Sequence, residues 1–416
     1  MFASSRHLHL EHVWTHGTPV KQNLGYLHPL PIAISFCDYY FRDGDADNLV
    51  AALEHRDLVQ VVEINVLPSL FDRLATAMQE PLPALTQLRL ESDPFVALPI
   101  LPDTILGGSA PRLQSIYIAG ISFPAAPTLL SSARDLVYVD IRDIPRFGFI
   151  PPEAMVASLA ALPKLESLTF AFQRGMSYHD RTRPPSNTRT VLPALTRFFF
   201  DGLFEYFEDL VTQIDTPQLN YLHIEYLNED AGADYQIPQL CKFIDRSEKF
   251  RSSRFRHAEL TVEPVGAIIE LLDGGRSSFR LSIPEDGIGE VVNQLSALLT
   301  DVDRLFIDSD SSMMGEGDEN LGVDIQWLEV FRPFTSLKAL SVDDELSSYI
   351  PPAFQSVISE RTAEVLPALN LLRLKNSSKL MGRMKRFIAA RQNVGRPVTI
   401  VSDDTEFRKD FVPRRY

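Results

Sequence analysis

Cysteine is nearly absent: Cys37 and Cys241 are the only two in 416 residues. Two thiols so far apart cannot staple a fold, which excludes the disulfide-framework class and suits a reducing compartment. Long apolar runs are missing as well. No uninterrupted stretch approaches the roughly 18 residues of a membrane-spanning helix, and Met1 to His7 lacks the apolar character of a secretory signal. A soluble protein of the cytoplasm or nucleus is expected, with no membrane partner. Positive charge is in deficit, since 40 Lys and Arg face 55 Asp and Glu for a formal charge of −15, with no acidic tail. A nucleic-acid partner needs a basic stripe to neutralise phosphates, so that class is excluded too. Nor does the sequence contain a Gly-x-Ser-x-Gly, a P-loop or a dinucleotide fingerprint. It reads as a chain without catalytic residues and without a cofactor.

What is present is a recurring phrase. Pro83-Ala84-Leu85-Thr86-Gln87-Leu88-Arg89-Leu90 returns as Pro193 to Phe200 and as Pro367 to Leu374. Its apolar positions, the first, fourth and sixth counted from the leucine, place two side chains on one face of a short strand and one in the turn that enters it. The phrase can be followed through Val59, Val62, Ile64; Leu85, Leu88, Leu90; Leu113, Ile116, Ile118; Leu136, Val139, Ile141; Leu165, Leu168, Phe170; Leu195, Phe198, Phe200; and Leu219, Leu222, Ile224. Steps between first positions are 26, 28, 23, 29, 30 and 24 residues, close to the roughly 20 to 29 of leucine-rich repeats. Further clear copies start at Leu337 and Leu369, and degenerate ones lie at 255–260, 278–283 and 302–307. The stacking Asn or Cys of regular repeats is not visible, so the turns must be satisfied in another way.

These observations predict an α/β fold, an irregular leucine-rich-repeat solenoid with a curved parallel β-sheet on its concave side and helices on its convex side. One array is expected over 1–416: incomplete N-terminal repeats in 1–56, the clearest in 57–230, degenerate ones in 231–333, and C-terminal repeats with a cap in 334–416. Leu8 and Leu10 fit a strand close to the start, and Ile32, Ile34 and Phe36 alternate as another. Asp45 or Asp47 is expected to cap a helix through Leu49 and Leu53. Pro151-Pro152 and Pro351-Pro352 open helices over 154–161 and 353–359. Residues 202–214 form an amphipathic helix with Leu203, Tyr206, Phe207, Leu210, Val211 and Ile214 on one face. Leu271 to Gly275 reads as a helix end and a turn. A basic helix over 380–392, a strand at 398–401 and a charged tail close the chain. Two polar loops, 174–190 and 308–324, interrupt the rhythm.

Metal-binding readings are weak. Asp43, Asp45, Asp47 and Glu54 match an EF-hand calcium loop at its first, third, fifth and twelfth positions, but Asn48 stands where the loop needs glycine, and a strand precedes it. An acidic turn capping a helix is the better account. His7, His9, His12 and His16 cluster without zinc spacing and read as exposed strand residues, and both cysteines read as core thiols.

The residues that alternate with the core positions face away from the core and differ from copy to copy. They include Gln87, Arg89, Tyr117, Tyr138, Arg197, Phe199, Tyr221, His223, Arg280, Phe306, Leu371 and Arg373. Tyr117, Tyr138, Arg197, Phe199, Tyr221, His223, Arg280 and Phe306 are the candidate partner-binding residues of the concave face, rich in the types enriched at interface hot spots. Packing under a loop or against each other is the alternative for any of them.

Several phrases go together as a set: Asn48 to His55, Leu106 to Ser115, Pro152 to Val156, Thr190 to Thr196 and Phe387 to Gln392. As a set they resemble the region after the F-box in mushroom-type fungal (basidiomycete) F-box-like proteins, over nearly the whole chain. The resemblance implies a non-catalytic target-recognition region, in proteins whose N-terminal F-box docks on the adaptor of a cullin-type ubiquitin ligase. The F-box itself is not in this sequence, so that adaptor would be a partner only through an F-box upstream. The alternative is a free-standing interaction scaffold.

Overall fold

The fold is that of a computed structural model, which describes residues 11–14, 30–36, 44–93, 100–174, 189–226, 236–264, 266–274, 276–284, 287–309, 325–343, 346, 365–374 and 380–401. Leu8, Leu10, His7, His9, His16, Cys37, Asp43, the helix expected at 353–359, most of both polar loops and the charged tail lie outside the described residues. The chain divides into two compact units, Met1–Leu219 and Asn220–Tyr416.

In the first unit the strands are β1 (Glu11–Trp14), β2 (Ile32–Phe36), β3 (Val59–Asn65), β4 (Gln87–Glu91), β5 (Ser115–Ala119), β6 (Tyr138–Ile144), β7 (Ser167–Phe172), β8 (Thr190–Val191), β9 (Arg197–Gly202) and β10 (Ile214–Asp215). β1 to β7 and then β9 lie side by side in chain order, and the pairings are parallel. β8 and β10 form a small parallel pair of their own. Parallel neighbours require a crossover. Helices Asp45–Leu53, Pro68–Ala77, Ala126–Ser132 and Pro152–Leu159 supply four of them, and a 3₁₀ turn, Ile105–Gly108, lies in the one between β4 and β5.

The register explains why the phrase recurs. Val62, Leu88, Ile116, Val139, Leu168 and Phe198 are successive partners, as are Ile64, Leu90, Ile118, Ile141, Phe170 and Phe200. All of them are buried. Each such side chain contributes about 2 kcal/mol through the apolar surface it removes from water. The first position of each phrase closes the turn: the N–H of Leu85, Leu113, Leu136, Leu165, Leu195 and Leu219 donates to the carbonyl three residues earlier.

The missing asparagine ladder is replaced by backbone. The Gln60 carbonyl accepts from Thr86 N, the Thr86 carbonyl from Gln114 N and Ser115 N, the Gln114 carbonyl from Val137 N and Tyr138 N, and the Glu166 carbonyl from Thr196 N and Arg197 N. One carbonyl with two lone pairs thus satisfies two amides of the next copy. Thr86 Oγ1 and Thr196 Oγ1 add bonds of 3.0 and 3.1 Å to the same carbonyls. No side chain is needed in every copy, because the backbone bonds form whether or not a threonine adds to them.

The helix that follows β9 is shorter than its amphipathic pattern, Phe204–Thr212, because Gly202 ends β9 and Ile214 begins β10. Tyr206, Phe207, Leu210 and Val211 are fully buried as that pattern requires. Tyr206 packs edge-on against Phe172 at 4.8 Å between ring centroids and donates its hydroxyl to Ile150 O at 2.9 Å, so its one polar atom is satisfied in an aromatic core. The capping expectation at Asp45 or Asp47 is corrected: Gly44, at φ 101, occupies the N-cap with no side-chain bond. Asp45 and Asp47 lie in the first turn, and Asp47 pairs instead with Arg73. Asn48 and its neighbours are helical, so this stretch is too straight to wrap a calcium ion.

The second unit contains β11 (Tyr221–Tyr226), β12 (His257–Glu263), β13 (Gly266–Asp273), β14 (Arg276–Pro284), β15 (Arg304–Ser309), β16 (Ala339–Val342), β17 (Leu371–Leu374) and β18 (Thr399–Val401). Their order is β11-β14-β13-β12-β15-β16-β17-β18. Here the sequence expectation needs correcting. Leu271 to Asp273 end a strand, not a helix, and β13 runs antiparallel to both β12 and β14. The copies at 255–260 and 278–283 are strands, but the meander places β14 beside β11 and β12 beside β15. The turn Asp273-Gly274, with Gly274 at φ 55, is the hairpin signal that separates a short apolar strand from a helix end. The last helix, Leu380–Asn393, buries Arg391 to 1% exposure, and its guanidinium donates to Leu369 O at 2.7 Å and Leu366 O at 3.1 Å. A buried cation thereby fixes the turn that leads into β17. Among the described residues, no helix is long and apolar enough to cross a membrane.

Candidate functional site

Strand alternation sends every second residue of each sheet to the face opposite the core. In the first unit the middle row of that face reads Glu63, Arg89, Tyr117, Asp140, Thr169 and Phe199 across β3 to β9. The row toward the strand starts reads Val61, Gln87, Ser115, Tyr138, Ser167 and Arg197. Tyr117, Tyr138, Arg197 and Phe199 therefore share one face, as alternation predicts.

The side chains around them are tied together. Gln87 Nε2 donates to Glu63 Oε1 at 2.7 Å, and an Arg89 amino group donates to Glu91 Oε2 at 2.6 Å. The Arg89 guanidinium lies 3.8 Å above the centre of the Tyr117 ring, a cation–π arrangement. On β6, Asp140 is only 1% exposed although it points away from the core. Its carboxylate accepts the Tyr138 hydroxyl at 2.8 Å and two Arg142 N–H groups at 2.7 and 3.0 Å. The Arg142 guanidinium in turn reaches over the Phe199 ring at 5.7 Å, although β7, with small Thr169 and Ala171, lies between β6 and β9. Short side chains on β7 are what let that bridge form.

Burial and the bond to Asp140 push the Tyr138 phenol up to about 12, and burial followed by the charge of Glu91 raises Tyr117. The Asp140 bonds hold the Arg142 guanidinium above its ordinary value. For Tyr138 the folded value exceeds the ordinary value of 10.0, so its stabilising contribution is complete below pH 10 and is lost as pH rises through 12. The tyrosinate absorbance of wild type minus that of Tyr138→Phe is therefore expected to show one phenol titrating near 12. An ordinary midpoint for that phenol counts against the network.

In the second unit the middle row runs His223, Arg280, Glu270, Glu259, Phe306, Ser341 and Arg373 from β11 to β17. His223 Nε2 lies 2.8 Å from Glu225 Oε1 and Nδ1 lies 3.3 Å from the Tyr221 hydroxyl. Arg280 pairs with Glu270 and has Nε 3.9 Å from Glu225. Tyr221, His223, Arg280 and Phe306 thus also face away from the core; Tyr221 and His223 are linked to Glu225 by hydrogen bonds, and Arg280 bonds Glu270 and lies at ion-pair distance from Glu225. Two antiparallel pairings inside the row were invisible to the repeat reading, and Glu270 and Glu259 are side by side because of them.

Alternation found the aromatic and cationic residues but missed Asp140, Arg142, Glu63 and Glu91. Arg142 and Glu91 occupy the position just beyond the last core residue of the phrase, where a spacing of two would have placed them. Among the described residues, no group of three or more His, Cys, Asp or Glu converges to hold a metal. Comparison with protein-family models and with curated proteins finds no match for the chain.

Proposed function

We propose that the chain is a non-catalytic protein-interaction module: an irregular leucine-rich-repeat solenoid whose sheet offers its open, concave face to a protein partner. The observation that carries this reading is the ribbon of Arg89, Tyr117, Tyr138, Asp140, Arg142 and Phe199 on the first unit, in which aromatic and Arg side chains are held by each other. Immobilising a rotamer-rich side chain on association costs about 0.5–1.5 kcal/mol. Side chains already fixed avoid much of that cost, and these residue types dominate interface energetics.

The setting we favour is target recognition in an F-box-type ubiquitin ligase, supported by the sequence resemblance, with an F-box outside this sequence docking the adaptor. A free-standing scaffold would use the same face without the adaptor. The test is affinity purification from the native cell with mass spectrometry, comparing wild type with the double variant Arg197→Glu, Phe199→Ala. Reproducible partners are expected to fall about tenfold in the variant, while circular dichroism and the melting temperature stay at wild-type values. Unchanged capture by a folded variant would remove this face from the interface. Co-purification of a ligase adaptor with the natural reading frame separates the ligase setting from the scaffold.

A further inference from the structure

Along β6 the core positions Val139 and Ile141 are followed by Ile144 rather than by residue 143. Resting on the protein-binding reading of the first unit's open face, we infer that the extra residue, Asp143, is a positioning residue of that face: its left-handed backbone places Arg142 where the guanidinium clamps Asp140 and reaches Phe199.

Register defines the irregularity. Ile141 stands opposite Phe170 and Ile144 opposite Phe172, so β6 takes three steps where β7 takes two. Regular alternation would set Asp143 opposite Phe172, whose ring packs against Tyr206 in the aromatic core, and would turn Ile144 to the open face. The one-residue bulge reverses this, leaving Ile144 2% exposed and Asp143 in water.

The bulge is also strained. Asp143 has φ 48, a conformation that a Cβ disfavours and that aspartate and asparagine tolerate better than most residues. Leu106 and Leu366 are the other non-glycine residues at positive φ among the described residues, and both are buried, at 0% and 1% exposure. Asp143 is exposed, and within the described residues its carboxylate makes no hydrogen bond. Its neighbours hold it instead. The Arg142 carbonyl accepts from Gly120 N at 3.1 Å, just past β5, and the Ile144 carbonyl accepts from Gln173 N at 3.0 Å, just past β7. Strain kept in place by its surroundings at an exposed residue points to a conformation that matters.

What it governs is the residue before it. The β5–β6 register ends at Arg142, opposite Ala119, and the bulge follows at once. The Arg142 side chain folds back along its own strand, with Nε 2.7 Å and an amino group 3.0 Å from the Asp140 carboxylate, and its guanidinium lies 5.7 Å from the centre of the Phe199 ring. A regular strand would stand Ile144 beside Arg142 on the same face, about 6.6 Å along. The bulge takes that apolar neighbour away.

The test uses the whole chain and variants that separate backbone from charge. Asp143→Val removes both reasons for the bulge, since valine resists positive φ and suits a core position. Asp143→Gly and Asp143→Asn keep the conformation without the charge. Two signals report the placement of Arg142: hydrogen exchange of its Nε–H, assigned by the resonance that Arg142→Lys removes, and the Tyr138 phenol midpoint. Asp143→Val is expected to speed the exchange about tenfold and to move the phenol from about 12 toward 10.0, while the glycine and asparagine variants match wild type. Asp143→Ala should give a smaller change of the same sign, which keeps the test open if the valine variant does not fold. Wild-type signals in folded Asp143→Val or Asp143→Ala, or the same loss in Asp143→Gly, would overturn the inference. Proteins lost from the Arg197→Glu, Phe199→Ala double variant should also fall about tenfold with Asp143→Val and persist with Asp143→Gly. If both signals move and capture of those proteins does not, the bulge has no part in binding and the face reading stands. A double variant that captures as wild type does brings down the face reading, and the two signals alone then decide whether Asp143 places Arg142.

Discussion

Replacing Gly266 with alanine is expected to open the β13–β14 pairing and to cost the second unit about 3 kcal/mol. A Cβ at this position would stand 2.2 Å from the Ile283 carbonyl oxygen and 3.2 Å from Ile283 C and Pro284 Cα. All three are backbone atoms of the paired strand β14, so no side-chain rotation relieves the overlap. β13 would have to move away from β14, and with it Ala267, Ile269 and Leu271, which fill the core at 1%, 1% and 0% exposure. Hydrogen exchange of the amides from 267 to 272 is the direct readout, and they should lose protection while β3 to β7 keep theirs. Gly274→Ala is the comparison: its φ of 55 disfavours a side chain, yet nothing lies within 4 Å of its Cβ. That variant should cost about 1–2 kcal/mol. Equal, small losses in the two variants would show that the close approach at Gly266 is not what holds the meander.

That meander also marks where the sequence stopped being legible. In the first unit, apolar residues at fixed offsets specify both the strand and the face it buries, and Leu85, Leu88 and Leu90 or Leu195, Phe198 and Phe200 could be placed from spacing alone. Parallel order follows because each phrase is separated from the next by enough chain for a crossover and too much for a hairpin. Between 255 and 284 both conditions fail. Ala267 to Leu272 is a short apolar run without a clear period, which fits a buried strand or a helix end equally, and only the flanking Gly266 and Asp273-Gly274 argue for hairpins. The repeat reading saw the two outer strands and could not see that the strand between them reverses the order.

The candidate site was legible to a different depth. Alternation alone puts Tyr117, Tyr138, Arg197 and Phe199 on one face, because the period of two is fixed by the backbone. It says nothing about which long side chains will reach across a strand. The Arg142 bridge to Phe199 depends on small residues of β7, and the burial of Asp140 depends on Tyr138 and Arg142 closing over it. Those are cross-strand facts set by register, and register in a parallel sheet comes from how the turns align. Here the turns are aligned by the carbonyls of Gln60, Thr86, Gln114 and Glu166, which leave no residue signature.

Asp140→Ala is expected to have the larger consequence for binding. The carboxylate is 1% exposed and accepts three hydrogen bonds, from Tyr138 and twice from Arg142. Removing one partner of a buried charged pair costs about 3–5 kcal/mol when the remaining charge is stranded. The Arg142 side chain is 44% exposed, so water recovers part of that loss, and about 2 kcal/mol is the expected destabilisation. For binding, release of Arg142 frees the guanidinium that covers Phe199, and Tyr138 loses the bond that sets its ring beside Ser167. Capture of partners should fall about tenfold, and Asp140→Asn should fall between the variant and wild type, because an amide oxygen can still accept from Arg142 or Tyr138 but the amide is neutral and its nitrogen, a donor, cannot pair with Arg142. The graded order, wild type above Asn above Ala, distinguishes an ordered ribbon from a set of independent contacts. If Asp140→Ala captures partners as wild type does while Phe199→Ala does not, Phe199 binds on its own and the buried carboxylate serves the fold alone.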